Sequence, residues 1–205
     1  GEENLDVVES LRQSRIELVI TRHEQAAGFM AATHGRLTGK PGVCITTLGP
    51  GALNLTTAAA FAHLGAMPML MITGQKGILA SRQARFQIVD VVAAMKPLTK
   101  MAHRIVGTGT IPTFVREAFR VAQEERPGPV LLELPKDVQS ERLRIERLPA
   151  PCAAERAPAP DGDAIARAAA RIARAQRPVL YLGGGVAQAR AQTLAQAFAE
   201  RAGLP

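Results

Sequence analysis

The sequence predicts an α/β protein: a doubly wound parallel sheet followed by the first part of a second α/β domain. Three observations carry this. Short, almost wholly apolar runs alternate with stretches of helical period. Runs this apolar need cover on both faces, which parallel strands receive from their crossover helices. Glycine and proline punctuate the runs, as at Gly39, Gly49-Pro50-Gly51, Gly74 and Pro97.

The elements follow in order. Asn4 caps a helix over 5–14, and 17–21 is a strand. The helix over 24–36 is closed by Gly35 and Gly39, and 43–48 is the next strand. Gly49-Pro50-Gly51 turns the chain into a helix over 52–62, and the strand 67–73 is followed by Gly74-Gln75. Residues 76–87 read as loop, and 88–95 as a short helix stopped by Pro97. A weaker strand over 102–106 precedes a helix that Pro112 opens and that runs to 121; 129–134 is a strand. Right-handed crossovers place every carboxyl end on one edge of the sheet. Glu24, the Gly49 turn and Gly74-Gln75 should therefore share one rim, where open α/β sheets bind ligands.

Beyond that sheet the texture changes. Residues 1–140 form the first domain, and 141–162 a linker with Pro149, Pro151, Pro158 and Pro160. Residues 163–205 open a second domain: a helix over 164–175, a strand from Pro178 into Gly183-Gly184-Gly185, and a helix from about 189. That second domain is too short to be complete.

Composition narrows the function classes. The 205 residues are 47% hydrophobic and 21% charged, with 3% aromatic and no Trp, so the core is aliphatic. The net charge of +7 is not gathered into a basic run, and Tyr181 is the only tyrosine, which argues against a nucleic-acid partner. No apolar run is long enough to span a bilayer. Cys44 and Cys152 lie far apart without metal-ligand spacing, as in a reduced, cytoplasmic protein. Glu24, where an apolar run opens into a helix, either complements the helix dipole or acts on a ligand. His23 beside it, in an extended segment, points to the opposite side and reads as a structural neighbour.

Several stretches in order resemble one family. They are Gly1-Glu2-Glu3-Asn4, Arg22-His23-Glu24-Gln25, Thr38-Gly39-Lys40-Pro41-Gly42-Val43, Gly49-Pro50-Gly51-Ala52-Leu53-Asn54, Phe86-Gln87 with Asp90, Arg126-Pro127-Gly128-Pro129-Val130, Leu134-Pro135-Lys136-Asp137-Val138, and Arg177-Pro178-Val179-Leu180-Tyr181-Leu182-Gly183-Gly184-Gly185. The chain is similar to the thiamine-diphosphate-dependent 2-keto-acid enzymes, and among them to acetolactate synthase large subunits. The resemblance implies a pyrimidine-binding domain that lacks the family's first strand, then the start of the central domain. The family's diphosphate-binding domain, with the Gly-Asp-Gly stretch and Asn that hold Mg²⁺, has no counterpart here, so these residues alone would be inactive.

By that resemblance Glu24 hydrogen-bonds N1′ of the cofactor's aminopyrimidine, whose N4′ then takes the proton from thiazolium C2. In an apolar setting Glu24 should titrate above a free glutamate. The resemblance also assigns Gly49, Pro50, Gly51, Asn54 and Gln75 to the cofactor, and Phe86, Gln87 and Lys100 to the substrate. Each has an ordinary reading as well: a strand-to-helix turn, polar loop residues, a solvated lysine. Gly183-Gly184-Gly185 is a tight turn, and in FAD-containing relatives the matching turn approaches the flavin; relatives without flavin keep similar glycines. The implied reaction joins two 2-keto acids with loss of CO₂, pyruvate giving 2-acetolactate, in a homodimer or homotetramer that leaves room for a regulatory subunit. The alternatives are a pyruvate oxidase, an oxalyl-CoA decarboxylase, a sulfoacetaldehyde acetyltransferase, or a binding module without chemistry.

Overall fold

The computed structural model describes residues 1–79, 86–145, 147–152 and 158–205. Residues 80–85 of the predicted loop, and 146 and 153–157 of the predicted linker, lie outside the described residues. The chain divides into two compact units, Gly1–Ala154 and Glu155–Pro205.

The first unit is built on four parallel strands: β1 (Gly42–Thr46), β2 (Met69–Gln75), β3 (Met101–Arg104) and β4 (Pro129–Pro135), in the spatial order β1-β2-β4-β3. The path steps from β2 out to β3 and returns to β4, whose seven residues are all buried. Helices cover both faces, as the apolar runs require. On one face α2 (Glu24–Thr38), α3 (Gly49–Leu53), α4 (Thr56–Leu64) and α5 (Val91–Met95) enclose Cys44, Met67, Met69, Met71, Met95 and Leu131. On the other, α6 (Ile111–Gln123) and α7 (Lys136–Ser140) close over Leu70, Val130, Leu132 and Leu134, with Val7 of α1 (Leu5–Arg12) packed against them. Methionine fills the irregular gaps that a core without tryptophan leaves. Burial pushes the Cys44 thiol up to about 12, so it is packing rather than a nucleophile.

Register divides the first face into two zones. Cys44, Met71, Leu131 and Ala102 align across the sheet, and two residues further along each strand so do Thr46, Thr73, Glu133 and Arg104. Alternation along a strand puts both rows on the same face. The face is thus apolar in its middle and polar at its carboxyl edge.

Several sequence expectations need correction. Residues 17–21 form no strand: no described strand lies beside them, and Leu18, Val19 and Ile20 are exposed. An apolar run signals burial but cannot supply the neighbour that pairs with it. Asn4 precedes α1 without capping it through its side chain; its Nδ2 instead donates to the Thr46 carbonyl. The helix expected over 52–62 is two, with a break at Asn54–Leu55, and it begins within the Gly49 turn itself. Gly74 and Gln75 belong to β2 rather than to a loop.

In the second unit, α8 (Gly162–Arg174) is capped by Asp161, which accepts the Asp163 N–H at 3.0 Å. The expected strand over 178–182 is absent from the sheet; Val179 and Tyr181 are exposed, again without a described neighbouring strand. The region from Gly183 forms α9 (Gly184–Gln188) and α10 (Gln192–Ala202).

Candidate functional site at the carboxyl edge of the sheet

Glu24 is the first residue of α2. Thr21 Oγ1 donates to the His23 carbonyl at 3.1 Å, and His23, in extended backbone, accepts the Gln25 N–H on Nδ1 at 3.1 Å. His23 therefore caps the helix, a structural role. Because α2 runs against β1, this cap presents Glu24 at the carboxyl edge of the sheet, as the rim argument expects.

One carboxylate oxygen of Glu24 is anchored by Asn54, and the other lies beside Gly51. Asn54, at the end of α3, donates from Nδ2 to Glu24 Oε2 at 2.9 Å. A Cβ on Gly51 would stand 3.2 Å from Glu24 Oε1 and 2.6 Å from Thr47 Cγ2. Glycine at 51 thus lets Thr47 and the Glu24 carboxylate pack directly against the turn. The Asn54 hydrogen bond holds the Glu24 carboxyl below the usual range, outweighing the partial burial that opposes it. This corrects the expectation of a raised value, which assumed an apolar setting and overlooked the anchoring amide.

Gly49 brings a third segment to the same place. Its φ is +47°, and a Cβ there would lie 2.1 Å from the Gln87 carbonyl oxygen. The Phe86-Gln87 backbone is therefore seated directly on the Gly49 turn, with both residues exposed. Pro50 occupies the first turn of α3, where its lost N–H has no helical partner to miss. Glu24, Gly49, Pro50, Gly51, Asn54 and Gln87 form one cluster, reached from three separate parts of the chain.

Gln75, at the carboxyl end of β2, shares this edge but faces other partners. Gln75 is buried and committed: its Nε2 donates to Glu133 Oε1 at 2.9 Å and to the Val89 carbonyl at 3.2 Å, and its Oε1 accepts the Lys76 N–H at 2.9 Å. Lys100 is on the opposite edge. It precedes β3, its N–H donates to the Pro129 carbonyl at the start of β4, and its Nζ donates to the Glu124 carbonyl that ends α6. Burial lowers its ammonium, against the pull of Glu124 and Glu125. Lys100 therefore stands apart from the Glu24 cluster within this unit. Gly183, Gly184 and Gly185 stand at the start of α9, where an added Cβ would meet nothing within 4 Å.

The structure also reveals neighbours that the sequence reading missed. Glu3 accepts from Lys76 Nζ at 2.6 Å and from Thr47 Oγ1 at 3.2 Å. Burial opposes the charge on Glu3, but the Lys76 and Thr47 hydrogen bonds prevail and lower its carboxyl. Thr47 thereby links this pair to the Gly51 side of the cluster. Glu133, wholly buried, pairs with Arg104. A lone acid within Val130-Leu131-Leu132-Glu133-Leu134 was the available signal, since a charge in a fully buried strand demands a partner. Among the described residues no three His, Cys, Asp or Glu side chains gather to hold a metal, and no helix is long and apolar enough to cross a membrane.

The family description "Thiamine pyrophosphate enzyme, N-terminal TPP binding domain" matches residues 1–94, and "Thiamine pyrophosphate enzyme, central domain" matches residues 165–205. The chain is 44% identical over 202 residues to the acetolactate synthase isozyme 1 large subunit of Escherichia coli, covering 98% of this chain and 36% of that protein. It is 41% identical over 194 residues to the acetolactate synthase large subunit of Corynebacterium glutamicum, with 94% and 31% covered. A probable chloroplastic acetolactate synthase 2 of Oryza sativa is 36% identical over 218 residues, with 100% and 31% covered. The chain thus spans about a third of the length of these relatives. Matched in both of its units, and carrying an anchored acid beside a side-chain-free turn, the chain belongs to the thiamine pyrophosphate enzyme family.

Proposed function

We propose that this chain supplies the pyrimidine-binding half of an acetolactate-synthase-like active site, in a protein that joins two molecules of pyruvate with loss of CO₂. The observation that carries this reading is the Glu24 carboxylate at the carboxyl edge, with one oxygen fixed by Asn54 and the other beside the side-chain-free Gly51. That geometry suits an aminopyrimidine ring: a flat heterocycle would meet a carboxylate that Asn54 holds in one orientation. Thiamine diphosphate supplies the carbon acid and the electron sink that decarboxylation of a 2-keto acid needs.

The chain's own residues do the rest. As an ionised acceptor Glu24 holds a proton at the ring nitrogen it faces. Loss of water from the Glu24 carboxylate on filling of the site would raise its proton affinity from the depressed value it has here. Asn54 opposes that rise and keeps Oε1 directed at the ring. Gln87, carried on the segment seated on Gly49, lines the outer side where a substrate would lie. We assign Mg²⁺ and the diphosphate to parts of the protein outside this chain, and the completed site to a homodimer or homotetramer. Met30, Leu37, Phe61 and Leu64 on α2 and α4 are large exposed apolar residues suited to such an assembly. A cytoplasmic setting suits the two free cysteines.

The test is acetolactate formation from pyruvate by the complete gene product, with thiamine diphosphate and Mg²⁺ added. Turnover supports the reading. Release of CO₂ from another keto acid with pyruvate ignored would keep the site and replace the substrate; no turnover and no cofactor binding would remove the reading.

A further inference from the structure

We propose that Glu133 is a positioning residue: through Gln75 it fixes the segment that carries Gln87 against Gly49, and so sets where that segment stands at the candidate site. The inference rests on the reading of that site given above. Glu133 is wholly buried in the central strand, among Leu131, Leu132 and Leu134. Replacing a buried ion pair by apolar side chains of similar size is often neutral or stabilising. Stability alone therefore does not account for an acid in this strand.

Its partners do. Arg104, in register on β3, pairs with Glu133 Oε2, and at 37% exposure its side chain carries the compensating charge out to solvent. On the other flank Gln75 gives the two hydrogens of Nε2 to Glu133 Oε1 and to the Val89 carbonyl. The Lys76 N–H occupies Gln75 Oε1, so the amide has one orientation. A carboxylate can only accept. Glu133 therefore obliges Gln75 to present an N–H toward the sheet, and its second N–H is left for the loop.

What the amide holds is the site segment. The Val89 carbonyl also accepts the Val91 N–H at 2.9 Å, and Asp90 caps α5 by accepting the Ala93 N–H at 3.0 Å. Two residues before Val89, the Gln87 carbonyl rests on Gly49. The strut thus runs from Arg104 through Glu133 and Gln75 to Val89, and ends at the backbone that seats Gln87.

Hydrogen exchange and steady-state kinetics on the complete gene product test this. Glu133→Gln lets position 133 donate as well as accept, and Arg104→Met removes the counter-charge. In both, amides of residues 86–91 should exchange about tenfold faster while β2 and β4 keep their protection. KM for the keto acid should rise about tenfold with kcat within a factor of about three. Arg104→Lys should restore protection, which a purely volumetric effect would not. If Glu133→Gln does not fold, the Arg104→Met and Arg104→Lys pair, at a partly exposed position, decides the matter. Unchanged exchange at 86–91 overturns the proposal, and so does equal loss across β2 and β4, which would make Glu133 a fold stabiliser. If exchange responds as expected but the unaltered protein turns over no keto acid, the strut stands and the functional reading falls.

Discussion

The two edges of the four-stranded sheet use opposite chemistry. At the carboxyl edge helices begin, and acceptors meet their free N–H groups: His23 caps α2, Asp90 caps α5, and Glu24 occupies the first turn of α2. At the amino edge helices end, and cations meet their last carbonyls. Lys100 Nζ donates to the Glu124 carbonyl after α6, and Arg126 donates to the Leu64 carbonyl at 2.7 Å, at the end of α4. Both patterns follow from the helix dipole and from unsatisfied backbone groups. At the first edge stands Glu24, an acid with one oxygen fixed by Asn54 and the other beside Gly51. A polar group on a dipole end is ordinary; an acid held in one orientation by a side chain from another segment is a candidate site.

The sharpest way to break this contrast is at Glu24. In the complete gene product, Glu24→Gln should lower kcat for keto-acid turnover by about 10²- to 10⁴-fold, the range for a positioned proton-transfer group. Thermal unfolding should move little, because glutamine keeps the volume and can still accept from Asn54. Turnover within threefold of the unaltered protein would reduce Glu24 to a dipole charge like its counterparts on the other edge.

A smaller effect separates anchoring from chemistry. Asn54→Ala removes the hydrogen bond to Glu24 Oε2, at a cost of about 1 kcal/mol at pH 7 for a partly exposed charged acceptor. The sign with pH follows from the lowered carboxyl. A group whose folded pKa lies below its unfolded one, about 4.3 for glutamate, stabilises fully above that unfolded value and loses its contribution as pH falls through the folded value. The stability gap between Asn54→Ala and the unaltered protein, measured by urea unfolding, should therefore be constant from pH 6 to 8 on that argument and shrink below about pH 4. A gap that widens in acid would mean that Asn54 does not hold the ionised form.

How much of this was legible before the structure depends on the range of the interaction. The parallel sheet, the helices over both faces and the shared rim came from apolar runs and turn residues, which are local and periodic. The runs at 17–21 and 178–182 were equally apolar and misled, because pairing needs a neighbour and no local pattern supplies one. The depressed Glu24 carboxyl was illegible for a related reason: its anchor lies thirty residues downstream. The Glu133 strut joins residues 58 apart in the case of Gln75 and 29 apart in the case of Arg104, and only its acid was visible as an anomaly. Lys100 was different. It precedes a predicted strand in a parallel sheet, which by itself puts it on the amino edge. Resemblance assigns it to the substrate, while topology places it on the edge of this sheet away from Glu24.

That disagreement gives the smallest and most discriminating prediction. If Lys100 is a capping cation, Lys100→Met forfeits the hydrogen bond to the Glu124 carbonyl and the favourable charge at the end of α6, together about 0.5–1 kcal/mol. Part of that loss is returned because methionine needs no water where burial already weighs against the ammonium. The net change in urea unfolding should be at most about 1 kcal/mol, and kcat/KM for pyruvate should stay within about twofold. A rise in KM of tenfold or more with unfolding unchanged would show that this amino edge meets substrate after all. The edges would then differ in which part of the reaction they serve rather than in whether they serve one.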